Sequence, residues 1–157
     1  MKIRQKFTVI FLLVLISSCG FKIVNRSSLS NYQIADISTE GDKRIGYDLK
    51  NKVLLSANNT SNKSIMINLK IDKNKSIKEK NIKNEITKYA ILIDIDVSFE
   101  LVGSPSKYKF KVSKTSDFGV ESQYSQTLNN EKKLIKLMTK GLAKEIVDKL
   151  YQKINAI

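Results

Sequence analysis

Asp94 and Asp96 sit two residues apart in the alternating run Ile91 to Leu101, so a strand there puts both carboxylates on one face. Two carboxyls at a cleft can hydrolyse a glycosidic bond, one as acid and the other as base or nucleophile. Lys107, Lys109, Lys111 and Lys114 follow in the next run, beyond the turn signal Gly103-Ser104-Pro105-Ser106. A hairpin closed by that turn brings Glu100, Asp96 and Asp94 near these lysines, and nothing in the pattern suggests a cleft. Ion pairing across strands therefore explains the carboxylates better than catalysis does. The chain has no His and a single Cys, which excludes His-based acid–base chemistry, Cys/His zinc sites and disulfide scaffolding. No glycine pattern of a nucleophile elbow is present. The expectation is a protein that is not an enzyme and needs no cofactor or metal.

The single thiol has a different setting. Lys2, Arg4 and Lys6 precede the apolar run Phe7 to Ile16, and Ile16-Ser17-Ser18 leads into Cys19-Gly20. Basic flank, short apolar run and small residues make a signal peptide over 1–18, and the run is too short to span a bilayer. Cysteine directly after the small pair resembles the lipobox of bacterial lipoproteins, where it is lipidated and becomes the mature N-terminus. A free thiol after ordinary cleavage and an uncleaved anchor are the alternatives. An unpaired exposed thiol in an oxidising compartment is a liability, which favours lipidation of Cys19. A diacylglyceryl thioether with an N-acyl chain anchors stably where one chain does not.

Behind Cys19, residues 19–31 are poor in apolar anchors and rich in serine, as expected of a lipidated tether, and 32–157 suit one domain. Tyr32 to Ser38 alternates as a strand, with Tyr32, Ile34 and Asp36 opposite Ala35 and Ile37. Asp42 to Ala57 has helical spacing, with Ile45, Leu49 and Val53 widened by Leu54 and Ala57. Thr39 or Asp42 suits its start and Asn58-Asn59 its end. Its Lys43, Arg44, Lys50 and Lys52 fall mostly off the apolar stripe, as a solvated face does. Ile65, Ile67, Leu69 and Ile71 alternate cleanly, and the pattern fades from Lys73 to Lys83 into a hairpin tip or continued edge strands. Ile91 to Leu101 and Tyr108 to Val112 then form an antiparallel hairpin.

Leu128 to Ile154 reads as a long helix whose stripe is Leu134, Ile135, Met138, Leu142, Ile146, Leu150 and Ile154. Thr127 or Asn130 suits its cap and Glu131 its first turn. Gly141 in its middle permits close packing on a neighbour. Lysines fill the other face, so the helix can lie on a membrane, but a sheet needing cover favours packing. The expected fold is therefore α+β: two helices packed on a mainly antiparallel four-stranded sheet, in the order β-α-β-β-β-α.

Charge bears on partners. The formal +13 includes Lys2, Arg4 and Lys6, which leaves 25 basic against 15 acidic residues, or +10, beyond the signal. That balance attracts anions: phospholipid headgroups, phosphorylated glycolipid or nucleic acid. An exported, lipid-anchored chain makes nucleic acid a poor partner. Lys, Asn and Ile are jointly abundant, so part of the charge is compositional.

Element order, the Cys19-Gly20-Phe21 opening and the lead from Ser116 to Gln126 into the last helix together resemble the lipopolysaccharide-assembly lipoprotein family LptE, also called RlpB. Many members place a proline and an aromatic soon after Cys-Gly-Phe, where this chain has Lys22-Ile23-Val24. The resemblance implies a non-enzymatic, periplasm-facing outer-membrane lipoprotein, with Gly20 rather than Asp after the cysteine favouring export to that membrane. It implies a plug that assists assembly of the β-barrel LptD and helps deliver lipopolysaccharide to the outer leaflet. On this reading Lys107, Lys109, Lys111 and Lys114 contact lipid A phosphates. The alternative is a non-catalytic envelope lipoprotein that scaffolds another periplasmic complex.

Overall fold

The computed structural model describes residues 32–57, 61 and 63–156; the expected signal peptide, the expected tether with Cys19, and Asn58-Asn59 lie outside the described residues. Strand β1 (Gln33–Gly41) leads into helix α1 (Lys43–Leu54), followed by β2 (Ser64–Lys80), β3 (Ile86–Leu101), β4 (Lys107–Gly119) and helix α2 (Tyr124–Ile154). The sheet order is β1-β2-β3-β4, with β1 parallel to β2 and the other two pairings antiparallel. The β-α-β-β-β-α order and the mainly antiparallel sheet are as the sequence implies.

Both helices cover one face of the sheet, because every strand presents its apolar alternates there. Ile65, Ile67, Leu69 and Ile71 of β2 and Ile91 to Phe99 of β3 are buried under Ile45, Leu49 and Val53 of α1 and Met138, Leu142, Ile146 and Leu150 of α2. In β1 the alternation is broken. The register with β2 shifts between Ile34 and Asp36, a bulge at Ala35, so Ile34 and Ile37 both reach the core. The expected face of Ile34 and Asp36 is corrected accordingly: Asp36 points away from the core with Ser38 and Glu40.

The fading stretch from Lys73 continues as strand to Lys80, opposite β3, and turns at Asn81–Glu85. Asn84 takes φ 63°, and the Asn81 side chain accepts the N–H groups of Lys83 and Glu85, as Asx turns do.

Helix α1 starts where expected. The Asp42 carboxylate accepts the N–H groups of Arg44 at 3.1 Å and Ile45 at 3.0 Å, and the Lys73 ammonium lies 2.8 Å from its other oxygen. Burial opposes ionisation of Asp42, but Lys73 and the two backbone donors outweigh it and hold the carboxyl below the usual aspartate range. That contribution is present above pH 4 or so and is lost as pH falls through the lowered folded value. Asp42→Ala should therefore cost about 1 kcal/mol at neutral pH, a difference in urea midpoints that narrows in acid. At the other end the helix stops at Leu55 rather than at Asn58-Asn59, and Leu54 is exposed rather than part of the stripe.

Helix α2 begins a turn earlier than the sequence suggests. Neither Thr127 nor Asn130 caps it: Gln123 is the cap, its side chain accepting from the Gln126 amide at 3.2 Å but from no helix backbone N–H. Thr127 is instead buried in the first turn, its hydroxyl accepting the Glu121 N–H at 2.8 Å, while Asn130 donates to the Glu121 carboxylate. Glu131 pairs with Lys75 at 2.6 Å. The space at Gly141 is filled by a side chain: a Cβ there would lie 2.6 Å from the Lys114 ammonium nitrogen. That nitrogen ends a flexible chain and can swing aside, so Gly141→Ala should stabilise by about 0.5–1 kcal/mol through helix propensity. A loss in thermal midpoint would mean that Lys114 is fixed in place.

Candidate functional site: the helix-free face of the sheet

The face away from the helices collects the polar alternates of all four strands. From β1 come Asp36, Ser38 and Glu40, opposite Met66, Asn68 and Lys70 of β2. The β2–β3 register then sets Met66 beside Glu100, Asn68 beside Ser98 and Lys70 beside Asp96. The β3–β4 register continues those rows to Lys107, Lys109 and Lys111.

This face is held by its own bonds. The Asn68 amide donates to Ser38 Oγ at 2.9 Å and Glu40 Oε1 at 3.2 Å. Lys111 lies 3.0 Å from Asp94, whose other oxygen accepts the Ser113 hydroxyl. Those two partners, Ser113 first, hold the Asp94 carboxyl below its ordinary value, and Asp94 in turn raises that of Lys111. Asp94 is thus paired across the strands with Lys111, as the alternation of the two runs suggests. At one end, Asp36, Glu40, Met66, Asn68, Glu100 and Lys107 line a shallow depression of about 360 Å³.

Three of the four lysines singled out in the sequence share this face. Lys107, Lys109 and Lys111 lie on it, at alternate positions of β4. Lys114 does not: it pairs in register with Ile93, a core residue, and its ammonium reaches Gly141 on the helix side. The expectation that all four crowd one face is corrected, because positions 111 and 114 differ by an odd number of residues and β4 keeps strict alternation.

Charge is layered. The helices carry eleven Lys and Arg against Asp48, Glu131, Glu145 and Asp148. On the helix-free face the lysines alternate with Asp36, Glu40, Asp94, Asp96 and Glu100. The contribution of β1 to this face was hidden in the sequence, since its parallel partner lies beyond a helix and its bulge reverses the pattern. A search for polar alternates in β1 once the bulge is allowed would find Asp36, Ser38 and Glu40. Among the described residues there is no cluster of metal-ligating side chains, and no helix is long and apolar enough to cross a membrane.

A β-α-β unit feeding an antiparallel meander, closed by a long helix on the same face, defines a two-layer α+β fold with one polar sheet face free. That is the fold of the rare lipoprotein B structures. Rare lipoprotein B of Shewanella oneidensis matches with a TM-score of 0.58 at 15% identity, over 77% of this chain and 98% of that one. Lipoprotein B of Nitrosomonas europaea matches with a TM-score of 0.61 at 16% identity, over 87% and 94%. A putative lipoprotein of Caulobacter crescentus gives 0.56 at 12% identity, over 83% and 95%. No family model and no curated protein sequence matches the chain.

Proposed function

We propose that this chain is a non-catalytic outer-membrane lipoprotein, held through Cys19 and facing the periplasm, that plugs and helps assemble the lipopolysaccharide-export barrel LptD. The observation that carries the proposal is the fold shared with rare lipoprotein B over most of both chains, together with Ile16-Ser17-Ser18-Cys19 ahead of it. Physical chemistry agrees with a plug. The lumen of such a barrel is polar, and a sheet face with alternating charges suits a hydrated wall.

Lipopolysaccharide contact falls on Lys107, Lys109 and Lys111. Reversing them to glutamate leaves a face dominated by Asp36, Glu40, Asp94, Asp96 and Glu100, which repels phosphates. Binding of purified lipopolysaccharide should weaken on the order of tenfold or more. Reversing Lys114 alone should leave binding near wild type, since it sits on the helix side. Unchanged binding in the triple variant rejects these residues as contacts.

Affinity purification of the lipidated chain tests the wider reading. A large β-barrel is the expected co-purifying protein, and recovery of only soluble or inner-membrane proteins favours the scaffold role instead.

A further inference from the structure

Exposed apolar side chains occur at several places, Ile82 at the hairpin tip among them, but at one end of the molecule they lie beside the point where the chain from Cys19 joins the sheet. The Gln33 N–H donates to the Lys63 carbonyl at 2.7 Å and the Val102 N–H to the Ser64 carbonyl at 2.8 Å, so the start of β1, the start of β2 and the turn after β3 meet there. Helix α1 runs back alongside β1, its Lys50 ammonium bonding the Ile37 carbonyl at 2.7 Å, and so delivers Leu54 and Leu55 to the same end. Leu55 is 87% exposed and Val102 55%, both on turns. Lys52 and Lys63 flank them, and neither is ion-paired among the described residues; Lys63 lies 5.7 Å over the Tyr32 ring.

The chain that carries Cys19 enters at this end, since residues 19–31 run directly into Tyr32 and β1. Thirteen residues reach about 45 Å when fully extended, and about 20 Å as a flexible coil. The tip at Asn81–Glu85 lies the whole length of β2 away, roughly 50 Å. The tether therefore keeps the Leu55–Val102 end at high effective concentration near the bilayer and leaves the tip far from it.

We propose that this end is a docking surface for the anionic phospholipid headgroups of the anchoring membrane. Leu55 and Val102 enter the headgroup region, and Lys52 and Lys63 sit among the phosphates. The lipid at Cys19 then does more than tether: before the domain meets a barrel, it stands on the bilayer with its β2–β3 hairpin pointing away. The proposal rests on the lipidation of Cys19 and not on a barrel partner.

The lipidated mature protein in vesicles of phosphatidylethanolamine and phosphatidylglycerol provides the test, after mass spectrometry has established the acyl groups on Cys19. The thioether at Cys19 does not react with thiol reagents, so Leu55→Cys, Ile82→Cys and Lys136→Cys each accept one nitroxide. These report the proximal turn, the hairpin tip and the solvent side of α2. The expected result is that the Leu55→Cys nitroxide loses most of its collisions with a water-soluble nickel chelate, while the other two keep theirs. Adding Lys52→Glu and Lys63→Glu, or leaving out phosphatidylglycerol, should restore those collisions. Equal aqueous access at all three sites overturns the proposal, as does protection at Lys136→Cys or Ile82→Cys instead, or a Cys19 without lipid. The vesicles hold no β-barrel, so failure of the docking pattern leaves the plug reading standing, and recovery of no barrel leaves this result standing.

Discussion

Gly41→Ala is expected to lower stability by more than about 3 kcal/mol, the largest single-residue effect in this fold outside the core. Gly41 ends β1 opposite Ile71 and has φ +94°, in the region side chains rarely adopt. A Cβ at this position would lie 1.9 Å from the Ile71 carbonyl oxygen, and that oxygen is backbone, so no rotamer change relieves the overlap. Relief requires β1 to part from β2 at the point where the chain turns into α1. Gly103→Ala separates the two causes. Gly103 has φ +89° but open space around it, so alanine there carries only the conformational cost, about 1–3 kcal/mol. Urea unfolding of both variants should show a clearly lower midpoint for Gly41→Ala than for Gly103→Ala. Equal midpoints would mean that the close approach of β1 to Ile71 contributes nothing.

Cys19→Ala should move nearly all of the protein from the detergent phase to the aqueous phase in a phase-separation assay, with loss of the acyl mass. The thioether needs the thiol, and the small pair Ser17-Ser18 followed by alanine still suits ordinary cleavage. Multiple acyl chains bury enough methylenes for stable anchoring, whereas the remaining Leu55 and Val102 contacts are a surface interaction of few groups. The alternative of an uncleaved anchor predicts otherwise. Its variant stays with the membrane at the mass of the full chain, Phe7 to Ile16 included.

Local patterns carried much of this fold. Isoleucine or leucine at alternate positions from Ile65 to Ile71 and isoleucine from Ile91 to Ile95 fixed two strands and their buried face, since period two admits one face only. The stripe from Leu134 to Ile154 fixed the long helix, and Gly103-Ser104-Pro105-Ser106 fixed a hairpin. What escaped was non-local. The parallel pairing of β1 with β2 depends on the path of α1 between them, which no strand sequence records. The bulge at Ala35 adds one residue, and a period-two reading then misplaces Asp36. Residues Lys73 to Lys80 lack apolar alternation because both faces are exposed there, so pairing with β3 rather than burial makes them strand.

The candidate face was half legible for the same reason. Lys107, Lys109 and Lys111 follow from alternation within β4, and alternation should also have excluded Lys114. Their relation to Glu100 and Asp96 needed the hairpin register, which the turn supplied. Asp36, Ser38 and Glu40 needed the sheet order. The placement of most excess positive charge on the helices, away from this face, needed the layers themselves.

In the proposed plug, the helix-free face lies against the wall of a membrane β-barrel. A photo-reactive amino acid placed at Lys109, in the middle of that face, tests it most directly in cells making the lipidated chain. A covalent adduct to a large outer-membrane β-barrel is expected, lost when the same substitution is made in a chain lacking Cys19. Adducts from Lys109 only to soluble periplasmic or inner-membrane proteins would contradict it.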